Sequence, residues 1–140
     1  MNITDLMIGD YVQVKTYTLD DNFQRKEFYT TVKVVELGHH VTIERLSINE
    51  SFRICEIPEL RPIPLTREIL LENGFVKVDF SHYATKDRNI ILDADGSWNK
   101  WNWVVQDDEG YDCYVCTIDS VHELQHIMKQ CKINESLLLK

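Results

Sequence analysis

At 140 residues, with 44% hydrophobic and 27% charged side chains, the chain has the size and composition of one folded domain or two small modules, and disorder is not expected. No apolar run approaches the ~20 residues that span a bilayer, and Met1-Asn-Ile-Thr-Asp-Leu6 is not a basic segment leading into an apolar one, so a cytoplasmic protein without membrane contact is expected. A formal net charge of −8, with Lys and Arg scattered rather than clustered, disfavours direct binding to nucleic acid. It does not disfavour a basic protein partner.

In chain order, Thr4 to Asp10 looks like one helical turn closed by Gly9-Asp10, and Tyr11 to Thr18 alternates with the period of a half-buried strand. Asp20-Asp-Asn22 begins a polar loop, and Phe28 to Leu37 is rich in residues that pack well on a pleated surface. Gly38-His-His40 turns the chain into Val41–Leu46, and Asn49-Glu-Ser51 turns it again into Phe52–Ile57. Four short strands joined by tight turns predict an SH3-like antiparallel β-module over residues 1–60.

All three prolines, Pro58, Pro62 and Pro64, fall in the joint that follows, and should hold it extended and out of any central sheet. Thr66 is placed to cap a short helix, with Glu68 in its first turn and Asn73-Gly74 as its stop. Strands are then expected at Phe75–Phe80, Asn89–Asp93, within Trp98–Val105 and at Tyr111–Ile118, with turns at Asp95-Gly96 and Asp107–Gly110 and a closing helix from Val121 to Lys132. Residues 61–140 therefore read as helix, antiparallel sheet, helix. The fold class is α+β, with the two modules packed together as one compact unit.

Three stretches stand out, Asp5-Leu-Met-Ile-Gly-Asp-Tyr-Val12, Pro62-Ile-Pro-Leu-Thr-Arg-Glu-Ile-Leu70 with Asn73-Gly-Phe75, and Val121-His-Glu-Leu-Gln125. Together they resemble a family of small uncharacterised proteins from Bacteroidetes phage and conjugative-element genomes. Ser120, Glu123 and His126 depart from that family's usual closing Tyr-Val-His-Gln-Leu-Gln-Asn. The resemblance implies a mobile-element setting and carries no activity with it.

His122-Glu-Leu-Gln-His126 matches the pattern in which two histidines one turn apart bind zinc and the glutamate activates water, making a zinc-dependent hydrolase the alternative function. Against it, Val121, Leu124, Met128 and Cys131 form an apolar seam that leaves His122 and His126 on the outer face, and Ser120 with Glu123 reads as a capping box. Neither metal nor cofactor is expected. Cys55, Cys113, Cys116 and Cys131 should be reduced, and Cys113-Tyr-Val-Cys116, in a strand, should place its thiols on opposite faces as buried cysteines. Trp101 and Trp103 belong to the core. Trp98 and Tyr111, beside Asp107 and Asp108, are the candidate partner-binding residues of a non-enzymatic interaction protein.

Overall fold

The valines of the first sixty residues alternate with polar side chains, and in the computed structural model this period buries one face of a sheet. Residues 5–38, 41–45, 51–54, 60–94 and 100–131 are described. The protein is α+β, with two five-stranded antiparallel sheets, and it divides into two compact units, Met1–Ile63 and Pro64–Leu139. No described helix is long and apolar enough to cross a membrane.

The first unit is a meander of β1 (Tyr11–Leu19), β2 (Arg25–Leu37), β3 (Val41–Arg45) and β4 (Ser51–Ile54), with β5 (Leu60–Arg61) returning beside β1. Register places Val12 opposite Val32, Val34 opposite Ile43 and Val14 opposite Leu60, and these six form the buried cluster with Leu6 and Val41. The tight turn before β1 is built on Asp10, whose buried carboxylate accepts the Met7 amide at 2.7 Å. Beyond Thr16, β1 and β2 continue as a two-stranded ribbon with exposed side chains, clasped by Lys15–Glu27 at 2.7 Å and by the Arg25 guanidinium over the Tyr17 ring. Leu60 and Arg61 pair with β1 only as a short edge strand, so the proline-bearing joint stays extended and out of the sheet's centre as expected. One expectation changes here. The edges β4 and β5 do not pair among the described residues, so the sheet is not closed into the SH3-like barrel.

The second unit opens with α1 (Arg67–Glu72), where the Thr66 hydroxyl accepts the Ile69 amide at 3.3 Å and Gly74 follows at φ +87°. Its sheet runs β10-β9-β8-β7-β6, from β6 (Val76–Lys77), β7 (His82–Ala84), β8 (Ile91–Ala94), β9 (Trp101–Gln106) and β10 (Asp112–Ile118). Alternation gives it two faces. Tyr83, Leu92, Ala94, Trp101 and Ile118 share one; Ala84, Ile91 and Val104 form a small buried cluster on the other. Trp101 anchors the first face. Its ring meets Tyr83 edge-on, and its Nε1–H donates to the Leu65 carbonyl at 2.8 Å in a buried bond. The same segment is tied to the far end of the chain by Leu65 N–H donating to Asp119 O at 2.9 Å and by a Pro64–Ser120 bridge.

The last helix is α2 (Val121–Gln130). Val121, Leu124 and Met128 are buried as the sequence implies, but so are Ile127 and His122. At ~100° per residue these five positions cover about 220° of the helix surface, so burial spreads well beyond a narrow seam and takes in His122. The outer-face placement of His122 is thereby corrected.

Candidate interaction surface

The turn from β9 to β10 is shaped by one carboxylate. Asp107 Oδ1 accepts the amides of Glu109 and Tyr111, both at 2.9 Å, while Gly110 takes φ +85°. This Asx-type arrangement gives Asp107 a structural task and leaves Asp108, Glu109 and Tyr111 facing solvent. Tyr111 is 68% exposed and Tyr114 64%, with Val105 and Val115 exposed beside them. Asp107, Asp108 and Tyr111 are thus together on one hairpin end, whereas Trp98 lies outside the described residues. Tyr114 was not singled out in the sequence. Its two-residue spacing from Asp112, which puts both on one face of β10, was the available signal.

β10 is an edge strand among the described residues, and its register slips between Tyr114 and Cys116. That bulge has a chemical effect. Cys113 pairs with Val105 and Cys116 with Trp103, so both cysteines sit on the same face rather than on opposite ones. Cys113 is exposed and Cys116 half-buried, which corrects the expectation of two buried thiols, and both are free. Burial, reinforced by the Glu123 charge, pushes the Cys116 thiol pKa up and makes it a poor nucleophile. Trp101 is buried as expected; Trp103 is half-buried.

On the face opposite the cysteines, which also carries Tyr114, lies a cluster that no sequence spacing announces. His82 stands directly opposite Asp93 across β7 and β8, and its Nδ1 is 2.8 Å from Asp79 Oδ1. Its Nε2 lies 2.7 Å from Asp112 Oδ2 and 4.0 Å from Asp93 Oδ1. Asp79 Oδ1 also accepts the Ser81 and His82 amides, at 3.0 and 2.9 Å, and Gln106 Nε2 donates to Asp112 Oδ1 at 3.2 Å. In a flat sheet β7 and β10 would stand three spacings apart, about 14 Å, so contact between their side chains means that the sheet curls strongly. Amide and imidazole hydrogen bonds lower the Asp79 pKa to about 2. Burial opposes charge on His82, but its hydrogen bonds to Asp112 and Asp79 outweigh burial and raise its pKa. The same contact with His82 lowers that of Asp112.

The helical His122-Glu-Leu-Gln-His126 segment has a different character. His122 and His126 meet edge-on with ring centres 5.6 Å apart, and no third His, Cys, Asp or Glu donor joins them within sharing distance of one ion among the described residues. The capping box is not formed. Ser120 makes no side-chain cap and instead donates its hydroxyl to Glu123 Oε1 at 3.0 Å. Burial, then the neighbouring Asp119 carboxylate, holds Glu123 above the ordinary carboxylate range. The Ser120 hydroxyl, donating to Glu123, works against that rise by favouring the carboxylate.

No family model, curated protein or solved structure matches the chain.

Proposed function

We propose that this is a non-enzymatic interaction protein, an accessory of a phage or other mobile element, that takes a basic segment of a partner protein on the β9–β10 hairpin. The observation carrying this reading is the exposure of Tyr111 and Tyr114 on an edge hairpin whose turn holds Asp107, Asp108 and Glu109. Tyrosine supplies large contact area with few torsions to freeze, and it is enriched where binding energy concentrates. An edge strand adds backbone donors and acceptors that an extended peptide can pair with, and the bulge at Tyr114–Cys116 limits such pairing to a short stretch. The net charge of −8 steers a basic partner and repels a nucleic acid.

The test is titration of the full chain with lysine- and arginine-rich peptides carrying aliphatic residues, alongside acidic peptides of the same length. Binding of the basic set, weakened at least ~10-fold in Tyr111→Ala plus Tyr114→Ala with melting temperature unchanged, supports the reading. Equal affinity for both sets, or indifference to the two tyrosines, sinks it.

A further inference from the structure

We propose that His82, Asp93 and Asp112 form a binding site for a first-row divalent cation of the Zn(II), Co(II) or Mn(II) class. One ligand atom from each lies within 4.8 Å of the other two, and among the described residues no other trio of His, Cys, Asp or Glu donors comes so close. The three come from β7, β8 and the start of β10, so the site is set by the curl of the sheet rather than by one flexible loop. Asp79 completes the pattern from behind. A histidine that binds metal through Nε2 is oriented by a carboxylate on its Nδ1–H, and Asp79 Oδ1 occupies that place at 2.8 Å. Asp79 is itself fixed by the Ser81 and His82 amides.

The donor atoms are available. Gln106 engages Asp112 Oδ1 and leaves Oδ2 towards the imidazole, and the Asp93 side chain makes no hydrogen bond among the described residues. Three carboxylates surround a single imidazole, so negative charge is in excess whether or not His82 is protonated. Nε2 and Asp112 Oδ2 are 2.7 Å apart, closer than two ligands of one tetrahedral ion at bond lengths of ~2.1 Å. Binding therefore displaces the proton they share and swings the Asp112 carboxylate outward by under about 1 Å, leaving any further coordination positions to water. The imidazole favours a first-row divalent ion over Mg(II) or Ca(II), which prefer oxygen-only sets, and the two carboxylates disfavour Cu(I), which prefers sulfur donors. The site is separate from His122 and His126, and it stands or falls independently of the proposed protein partner.

The experiment is a Co(II) titration of untagged, chelator-treated full chain, followed by its visible d–d absorption, then displacement by Zn(II). Expected are one Co(II) per chain without a thiolate charge-transfer band, and a rise in melting temperature with Zn(II). Asp93→Asn and Asp112→Asn should each weaken binding at least ~10-fold, Asp79→Asn by about 10 to 100-fold as a positioning residue, and His126→Ala not at all. Two aspartate variants guard against misfolding of either, with far-ultraviolet circular dichroism as the check. Failure to bind at saturating Co(II), a thiolate band, or affinity that survives both Asp93→Asn and Asp112→Asn overturns the proposal. So does loss of binding in His126→Ala, which would move the site to α2.

Discussion

His82 on β7 and Asp112 at the start of β10 lie thirty residues apart in sequence, yet their side chains meet at 2.7 Å. The contact is charge-assisted on both sides of the imidazole, since Asp79 holds the other nitrogen. Its contribution depends on pH in two directions. A raised His82 pKa stabilises the fold fully below the ordinary imidazole value of ~6.5, and that gain is lost as pH rises through the raised value. The lowered Asp79 and Asp112 values stabilise it above the ordinary carboxylate value of ~3.9, and that gain is lost as pH falls through the lowered ones. In chelated protein the melting-temperature gap between wild type and His82→Gln should be widest at about pH 4 to 6.5 and narrow towards about pH 9. Parallel curves would show that the pair contributes no pH-dependent stability.

Trp101→Phe should cost about 1–3 kcal/mol through the Leu65 carbonyl alone, which is left buried without its donor, and more through the void left by the indole. Urea denaturation measures this. A loss below about 0.5 kcal/mol would mean that water reaches Leu65 O, a surface-like outcome.

Glu123→Gln should raise stability at neutral pH and leave it little changed in acid. The carboxyl is held above its ordinary pKa by burial and by Asp119, so its charged form is disfavoured in the fold. That penalty is present above the raised value and absent below the ordinary one. Glutamine keeps an acceptor for the Ser120 hydroxyl. Melting curves at about pH 4 and about pH 8 decide it, and destabilisation at the higher pH would contradict the assignment.

Phe23 takes φ 58° at the tip of the β1–β2 ribbon while 84% exposed, a conformation that bulky side chains rarely adopt. Phe23→Asn should stabilise by up to about 1 kcal/mol in chemical denaturation, because asparagine enters the left-handed region at less cost. A loss of stability would show that the ring makes contacts which offset its backbone strain.

Much of this architecture was legible because strand alternation, the Thr66 cap and the Asp-rich turns are local signals. β7 was hidden for the opposite reason. His82-Tyr-Ala84 is too short to show a period, and its pairing with β8 is fixed by tertiary context. The His82 cluster was hidden as well, since Asp79, His82, Asp93 and Asp112 follow no recognised spacing and meet only when the sheet curls. Conversely, the conspicuous His122-Glu-Leu-Gln-His126 spacing marks a helix with a buried His122, where the apolar stripe is too broad for wheel position alone to separate core from surface. The opposed placement of Cys113 and Cys116 failed at a bulge, which inserts one residue and resets alternation. Tyr111, Asp107 and Asp108 were legible as a group because a four-residue turn gathers them.

The bond from Trp101 to the Leu65 carbonyl, with that from the Leu65 amide to Asp119, also sets an order of events during synthesis. The β1–β2 and β2–β3 pairings of the first unit join near neighbours in sequence, so they can form as soon as each strand leaves the ribosome. The strands of the second unit also pair with sequence neighbours, but its opening segment does not. Its first segment must wait, with an unsatisfied carbonyl and amide, until β9 and then the residues preceding α2 emerge. Loop-closure entropy is lost before either contact compensates it, which makes the second unit the slower to mature on the nascent chain.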